Sequence, residues 1–241
     1  MTDGFLWLAA AAVLAGLVRG FSGFGTALVF LPIAGQILGP FEAVTTMIVM
    51  DAVGPLPNVP RALKVAHRRD VLRLSLGYAI VMPLGVWVLL NIGSDGFRYT
   101  VSTLALGLLA LLMLGIRYRG TLTRWLVYLI GGIAGLTGGA AGIAGPPVIL
   151  FYMASRHSAQ VIRANILLFL FLTDIALLIA FWVSGQMVSA ALLTGLALIP
   201  VYALANVAGA AIFRPEAERT YRAVAYLIIA ASALSGLPLW D

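Results

Sequence analysis

Polar positions are the exceptions along this chain, and their spacing sets the reading. Long apolar runs cover 71–91, 97–116, 159–183, 188–213 and 224–240. Each approaches the ~20 residues that an α-helix needs to cross a hydrocarbon core of about 30 Å. A sixth run, 41–60, is apolar except for Asp51 and ends in Gly54-Pro55-Leu56-Pro57-Asn58, which predicts a helix frayed at its inner end. Two stretches are interrupted instead. In 5–38, a first arm to Val18 meets Gly20-Phe21-Ser22-Gly23-Phe24-Gly25 before a second arm begins. In 125–155, the sequence Gly135-Leu136-Thr137-Gly138-Gly139-Ala140-Ala141-Gly142 plays the same part. Glycine's entropic cost in a helix predicts a break at each place. Arms of about 16 residues would span only ~24 Å, so each stretch reads as a re-entrant or broken hairpin.

Composition removes the soluble alternative: 62% of residues are hydrophobic and only 10% charged. The chain is expected to be an all-α polytopic membrane protein. Met1-Thr2-Asp3-Gly4 leads straight into apolar sequence with no basic n-region, so the first helix is expected to be retained. The absence of cysteine excludes disulfides, thiolate metal sites and cysteine nucleophiles.

Charge supplies the topology. Of the 15 Lys and Arg residues, most fall in three connectors: Arg61, Lys64, Arg68, Arg69 and Arg73; Arg117, Arg119 and Arg124; Arg214, Arg219 and Arg222. The net charge of +6 therefore reads as a topology signal rather than a nucleic-acid footprint. All three connectors are expected in the cytoplasm, with both termini outside. That works only if 125–155 enters and returns on the same side.

The two breaks overlay without a gap, Gly16, Gly20, Ser22, Gly23 and Pro32 falling on Gly131, Gly135, Thr137, Gly138 and Pro147. Each hairpin precedes three spans, so one transmembrane domain, 1–241, is expected to hold two inverted-topology repeats. The first is 1–116 (hairpin 5–38, spans 41–60, 71–91, 97–116). The second is 125–241 (hairpin 125–155, spans 159–183, 188–213, 224–240). Inverted repeats with broken helices mark secondary transporters, whose substrate sites lie near the bilayer midplane.

Three segments carry a specific resemblance: Arg-Gly-Phe-Ser-Gly-Phe-Gly at 19–25, Gly-Gly-Ala-Ala-Gly-Ile-Ala-Gly-Pro-Pro at 138–147, and Arg163-Ala164-Asn165 opening the next helix. Together they resemble the sulfite exporter TauE/SafE family of bacterial membrane transporters, over nearly the whole chain. The resemblance implies export or uptake of a small sulfur-containing or organic anion such as sulfite or sulfoacetate across the bacterial inner membrane.

A mid-membrane break leaves backbone N–H groups unpaired, tolerable only around a cavity or ligand, and a helix N-terminus favours an anion. The expected substrate-binding set is Arg19, Ser22, Gly23, Phe24, Gly25, Thr26, Thr137, Gly138, Gly139, Gly142, Pro146, Arg163 and Asn165. Gly16, Gly20, Gly131 and Gly135, spaced as Gly-x-x-x-Gly, are expected to serve close helix packing instead. Arg19 either counters the anion's charge or partners Asp51 or helix-end carbonyls. Arg163 either joins the site or snorkels to the interface; Asn165 is a neutral ligand or an interhelical hydrogen bond. Asp51 and Asp174 are candidates for ion coupling, carrying a proton, with a structural ion pair as the other reading. Glu42, Arg98 and Arg156 read as interfacial anchors. His67 and His157 fall in connectors without metal-ligand spacing, so no metal and no cofactor is expected.

The expected partners are the small anion, membrane lipid and, as an open alternative, a second copy of the chain. Without a Gly-x-x-x-x-Gly-Lys-Ser/Thr loop, no nucleotide drives the transport. The rivals to a carrier are a passive anion channel and an intramembrane enzyme, the latter weakened because no nucleophile and base recur near either break.

Overall fold

The computed structural model describes residues 2–52, 56–114, 122–152, 157–212 and 218–239. The Gly54-Pro55 step, Arg117, Arg119, Arg156, Arg214 and the last residue of the expected 224–240 span lie outside these. The regular elements among the described residues are all helical: α1 (Thr2–Ser22), α2 (Thr26–Ala34), α3 (Pro40–Asp51), a 3-10 turn (Leu56–Asn58), α4 (Val59–Val65), α5 (Arg68–Met113), α6 (Arg124–Ala141), α7 (Gly145–Tyr152), α8 (Ala159–Val183), α9 (Ser189–Ile212) and α10 (Glu218–Gly236). Among the described residues, four stretches are long and apolar enough to cross a membrane: Gly4–Ser22, Arg68–Met113, Gln160–Val183 and Ser189–Ile212. Helix α10 is not among them, because it starts within the basic connector and carries Glu218, Arg219 and Arg222 in its sequence. The chain is a multi-pass membrane protein.

Several expectations change in detail. The run 41–60 is two helices, α3 and α4, rather than one frayed span. The spans expected at 71–91 and 97–116 are the two arms of α5, and the turn between them narrows to Gly93, whose φ of 65° and ψ of −176° no other residue adopts as readily. The hairpin arms are unequal. Helix α1 runs on to Ser22 and α6 to Ala141, about 31 and 27 Å at 1.5 Å per residue, while α2 and α7 have only 9 and 8 residues.

The chain divides into two compact units that are not the two sequence halves. One comprises Met1–Val53, Ile92–Met113 and Met187–Asp241; the other comprises Gly54–Asn91 and Leu114–Gln186. Each therefore joins a hairpin from one half to a span from the other. In the first unit α1 packs on α9, α3 on α9, and α2 on α10. A methyl group on Gly16 would meet the Tyr202 carbonyl at 2.7 Å, and one on Gly20 the Asn206 carbonyl at 2.2 Å. In the second unit Gly131, Gly135 and Gly139 stand equally close to the carbonyls of Leu74, Tyr78 and Met82. The Gly-x-x-x-Gly spacing thus lets two backbones touch, as expected, and that contact is why α1 and α6 stay helical through sequence that glycine weakens.

The helices break where glycine takes a left-handed conformation. Gly23 (φ 78°) and Gly25 (φ 106°) separate α1 from α2; Gly142 (φ 69°) ends α6. Helix α2 opens three residues after Gly23, and α7 three after Gly142. Counted from these breaks, Gly23 and Gly142 hold equivalent places, four residues, about one helical turn, away from the Gly23–Gly138 match of the sequence overlay. A pattern of small residues repeating every fourth position leaves such a slip invisible in sequence.

Candidate functional site

In the first unit the break sits beside a buried polar cluster. Arg19, in the last turn of α1, reaches the carboxylate that closes α3: Arg19 Nη1 lies 3.2 Å from Asp51 Oδ2, with side chains only 20% and 15% exposed. Asp51 Oδ1 accepts a short hydrogen bond from the hydroxyl of Tyr202 in α9. That hydroxyl lies 2.9 Å from Thr26 Oγ1, and since its proton faces Asp51, Thr26 is the donor. Tyr202 and Thr26 are almost wholly buried. Thr26 is the first residue of α2, so the chain Arg19–Asp51–Tyr202–Thr26 runs from the end of one arm to the start of the next. Gly25 provides no side-chain cap there. The first N–H to return to it comes from Val29, at 3.1 Å, so the preceding N–H groups point out of the helix. Arg19 is thus paired with Asp51 in this structure.

The Ser22 hydroxyl is engaged by the backbone. It lies 2.6 Å from the Val18 carbonyl and 2.7 Å from that of Phe24, and accepts the Phe24 N–H at 3.3 Å. With one proton it donates to one carbonyl at a time, tying the end of α1 to the break. Gly23 is exposed and Phe24 half-buried.

In the second unit Thr137 has the matching duty: its hydroxyl lies 2.7 Å from the Ile143 carbonyl and 3.1 Å from that of Ile133, bridging the end of α6. Gly138 is covered by the ring of Tyr78, whose Cε2 would be 2.8 Å from an added methyl. Gly139 abuts the backbone of α5. Tyr78 is buried edge-on to Phe169 at 5.9 Å and lies within electrostatic reach of the partly buried Asp174. Each unit thus sets a tyrosine from the span packed on its hairpin near an aspartate. Pro146 is buried in the first turn of α7, where proline fits. Arg163 is exposed on α8.

Asn165 belongs to a different group at one end of the second unit. It is fully buried; its Oδ1 accepts the His67 N–H at 2.8 Å and its Nδ2 donates to the Tyr152 hydroxyl at 2.5 Å. Tyr152 in turn donates to Asp70 Oδ2 at 3.0 Å. His157 Nε2 lies 3.0 Å and His67 Nδ1 3.1 Å from the same oxygen, while Arg73 holds Oδ1 at 3.0 Å. Asp70 sits ahead of the apolar run of α5. Asn165 is therefore an interhelical tie.

Sequence reasoning missed Tyr202, Tyr78, Tyr152 and Asp70, all joined to their partners across long stretches of chain. Arg98 is 7% exposed and donates from Nε to the Gly236 carbonyl at 3.2 Å, complementing the C-terminus of α10. Glu42 caps α3, accepting the Gly39 N–H at 3.1 Å.

No curated protein and no solved structure matches the chain. The family model described as sulfite exporter TauE/SafE matches residues 8–236, nearly its whole length, and the chain belongs to that family.

Proposed function

We propose that this protein is a secondary transporter that moves a small sulfur-containing or organic anion, sulfite or sulfoacetate among them, across the bacterial inner membrane by alternating access. The family is one of membrane transporters of sulfite and similar anions, which makes catalysis an unneeded reading. The observation that carries the mechanism is the buried chain from Arg19 through Asp51 and Tyr202 to Thr26 at a helix break. At rest the Arg19–Asp51 pair is neutral. Protonation of Asp51 brings its net charge to +1, which favours an anion beside the outward-pointing N–H groups of α2. Release of that proton reverses the preference, so proton and anion travel together. Tyr202 fixes the carboxylate, and Thr26 joins it to the helix that receives the anion. Tyr78 and Asp174 provide the second unit with a related pair. In this reading Arg163 and Asn165 stand outside the anion site.

Proteoliposomes containing the purified protein test this with sulfite and sulfoacetate under an imposed pH gradient. The expected result is gradient-driven accumulation that disappears in Asp51→Asn while downhill flux persists. Absence of protein-dependent flux for every small anion would overturn the transport reading. Conductance in a planar bilayer without gradient-driven accumulation would replace it with a channel.

A further inference from the structure

The two histidines of this chain lie in connectors ninety residues apart in sequence, yet the fold of the second unit brings them together. Their rings stand 4.7 Å apart, centre to centre, tilted by 35°. His67 Nδ1, His157 Nε2 and a carboxylate oxygen of Asp70 all fall within 4.8 Å of one another. Both nitrogens approach the same oxygen, Oδ2, at 3.1 and 3.0 Å. The His67 nitrogen is shielded from solvent, and although near the carboxylate it is not aligned for a hydrogen bond. Donor atoms around a tetrahedral ion with bonds of ~2.0–2.1 Å stand about 3.3 Å apart. The two nitrogen–oxygen spacings are therefore close to those of a ligand set, and the His67 nitrogen has no hydrogen-bond partner to displace.

We propose that His67, Asp70 and His157 form a binding site for a divalent transition-metal ion of the zinc type, with a fourth position open. Two imidazoles and one carboxylate suit such borderline ions and not magnesium or calcium, which prefer oxygen. The surroundings are those of a held ligand set. Tyr152 donates to the ligating oxygen, Asn165 fixes both Tyr152 and the His67 backbone, and Arg73 occupies the other carboxylate oxygen. Such outer partners orient ligands and limit their freedom. Asp70 is only 8% exposed, whereas the histidine side chains are 42% and 31% exposed, leaving an approach for the ion from the imidazole side. A bound ion would clamp the connector before α5 to the connector before α8.

The test uses full-length protein in detergent, purified without a histidine tag, stripped with chelator and desalted. Zinc is titrated against a chromophoric competitor, and cobalt is added separately to read its visible absorption. The expected result is one zinc per chain, a cobalt spectrum typical of nitrogen and oxygen ligation, and affinity weakened at least about tenfold in His67→Ala and in His157→Ala. Both substitutions remove partly exposed rings, and the thermal melting of the metal-free variants verifies that they fold. Zinc should raise the melting temperature of the native chain alone. Zinc binding that is undetectable, or equal in the native chain and in the His67→Ala/His157→Ala double variant, would overturn the site and leave the group as a hydrogen-bonded tie.

Discussion

Glycines of this chain divide by what stands opposite them, and the division has measurable consequences. Gly20 faces the Asn206 carbonyl so closely that an added methyl would lie at 2.2 Å, whereas Gly107, in the second arm of α5, has nothing within 4 Å. Gly20→Ala should lower stability by about 1–3 kcal/mol through overpacking. Gly107→Ala should be neutral or raise it by up to ~1 kcal/mol, as expected for a helix interior. Thermal melting of a fluorescent fusion in detergent distinguishes the two. The Arg19–Asp51 pair gives a second residue-level test. Arg19→Gln and Asp51→Asn should each destabilise, and the double variant should recover part of the loss, with a coupling of about 0.5–3 kcal/mol in a double-mutant cycle. The candidate charges at these positions were legible in sequence, since ionisable residues in apolar runs demand an explanation. Their partners were not: Tyr202 contributes to the Asp51 cluster from α9, and an apolar run containing one tyrosine gives no sign of what its hydroxyl will meet.

At the level of elements, apolar run length located the helices, while the breaks were displaced. Glycine content predicted an interruption from Gly20 and from Gly135, but both helices continue until a glycine adopts positive φ. Intrinsic propensity lost to packing, because the glycines that weaken α1 and α6 are those that let α9 and α5 approach. The positions that truly end the arms are Gly23 and Gly142. Alanine at either should cost about 1–2 kcal/mol in the left-handed region, although Gly23 faces open space. A clash cannot account for that loss. If Gly23→Ala melts like the native chain, the break does not depend on a left-handed residue there.

At the scale of the whole molecule, the class was legible from composition and the family from short motifs around the breaks, but the partition into compact units was not. Each unit draws on both sequence halves, so contacts far apart in the chain define it, and no local pattern reports them. The orientation expected from the basic connectors remains open to a direct test, aided by the absence of cysteine from the native chain. Single cysteines at Lys64 and Arg222 should resist a membrane-impermeant maleimide in spheroplasts and react after lysis, whereas one at Ser184 should react at once. Labelling of Lys64→Cys in intact spheroplasts would reverse the assignment. The interleaving also bears on how the protein is made. The surface that receives Gly16 and Gly20 lies in α9, roughly 190 residues downstream, and at ~5–20 residues per second it emerges about 10 to 40 s later. During that interval α1 waits in the bilayer with its glycine face unfilled and Arg19 without the tyrosine that later braces its partner. The nascent chain therefore passes through a window in which its first helix lacks its later packing partner, and in which membrane proteases should have their best access to it.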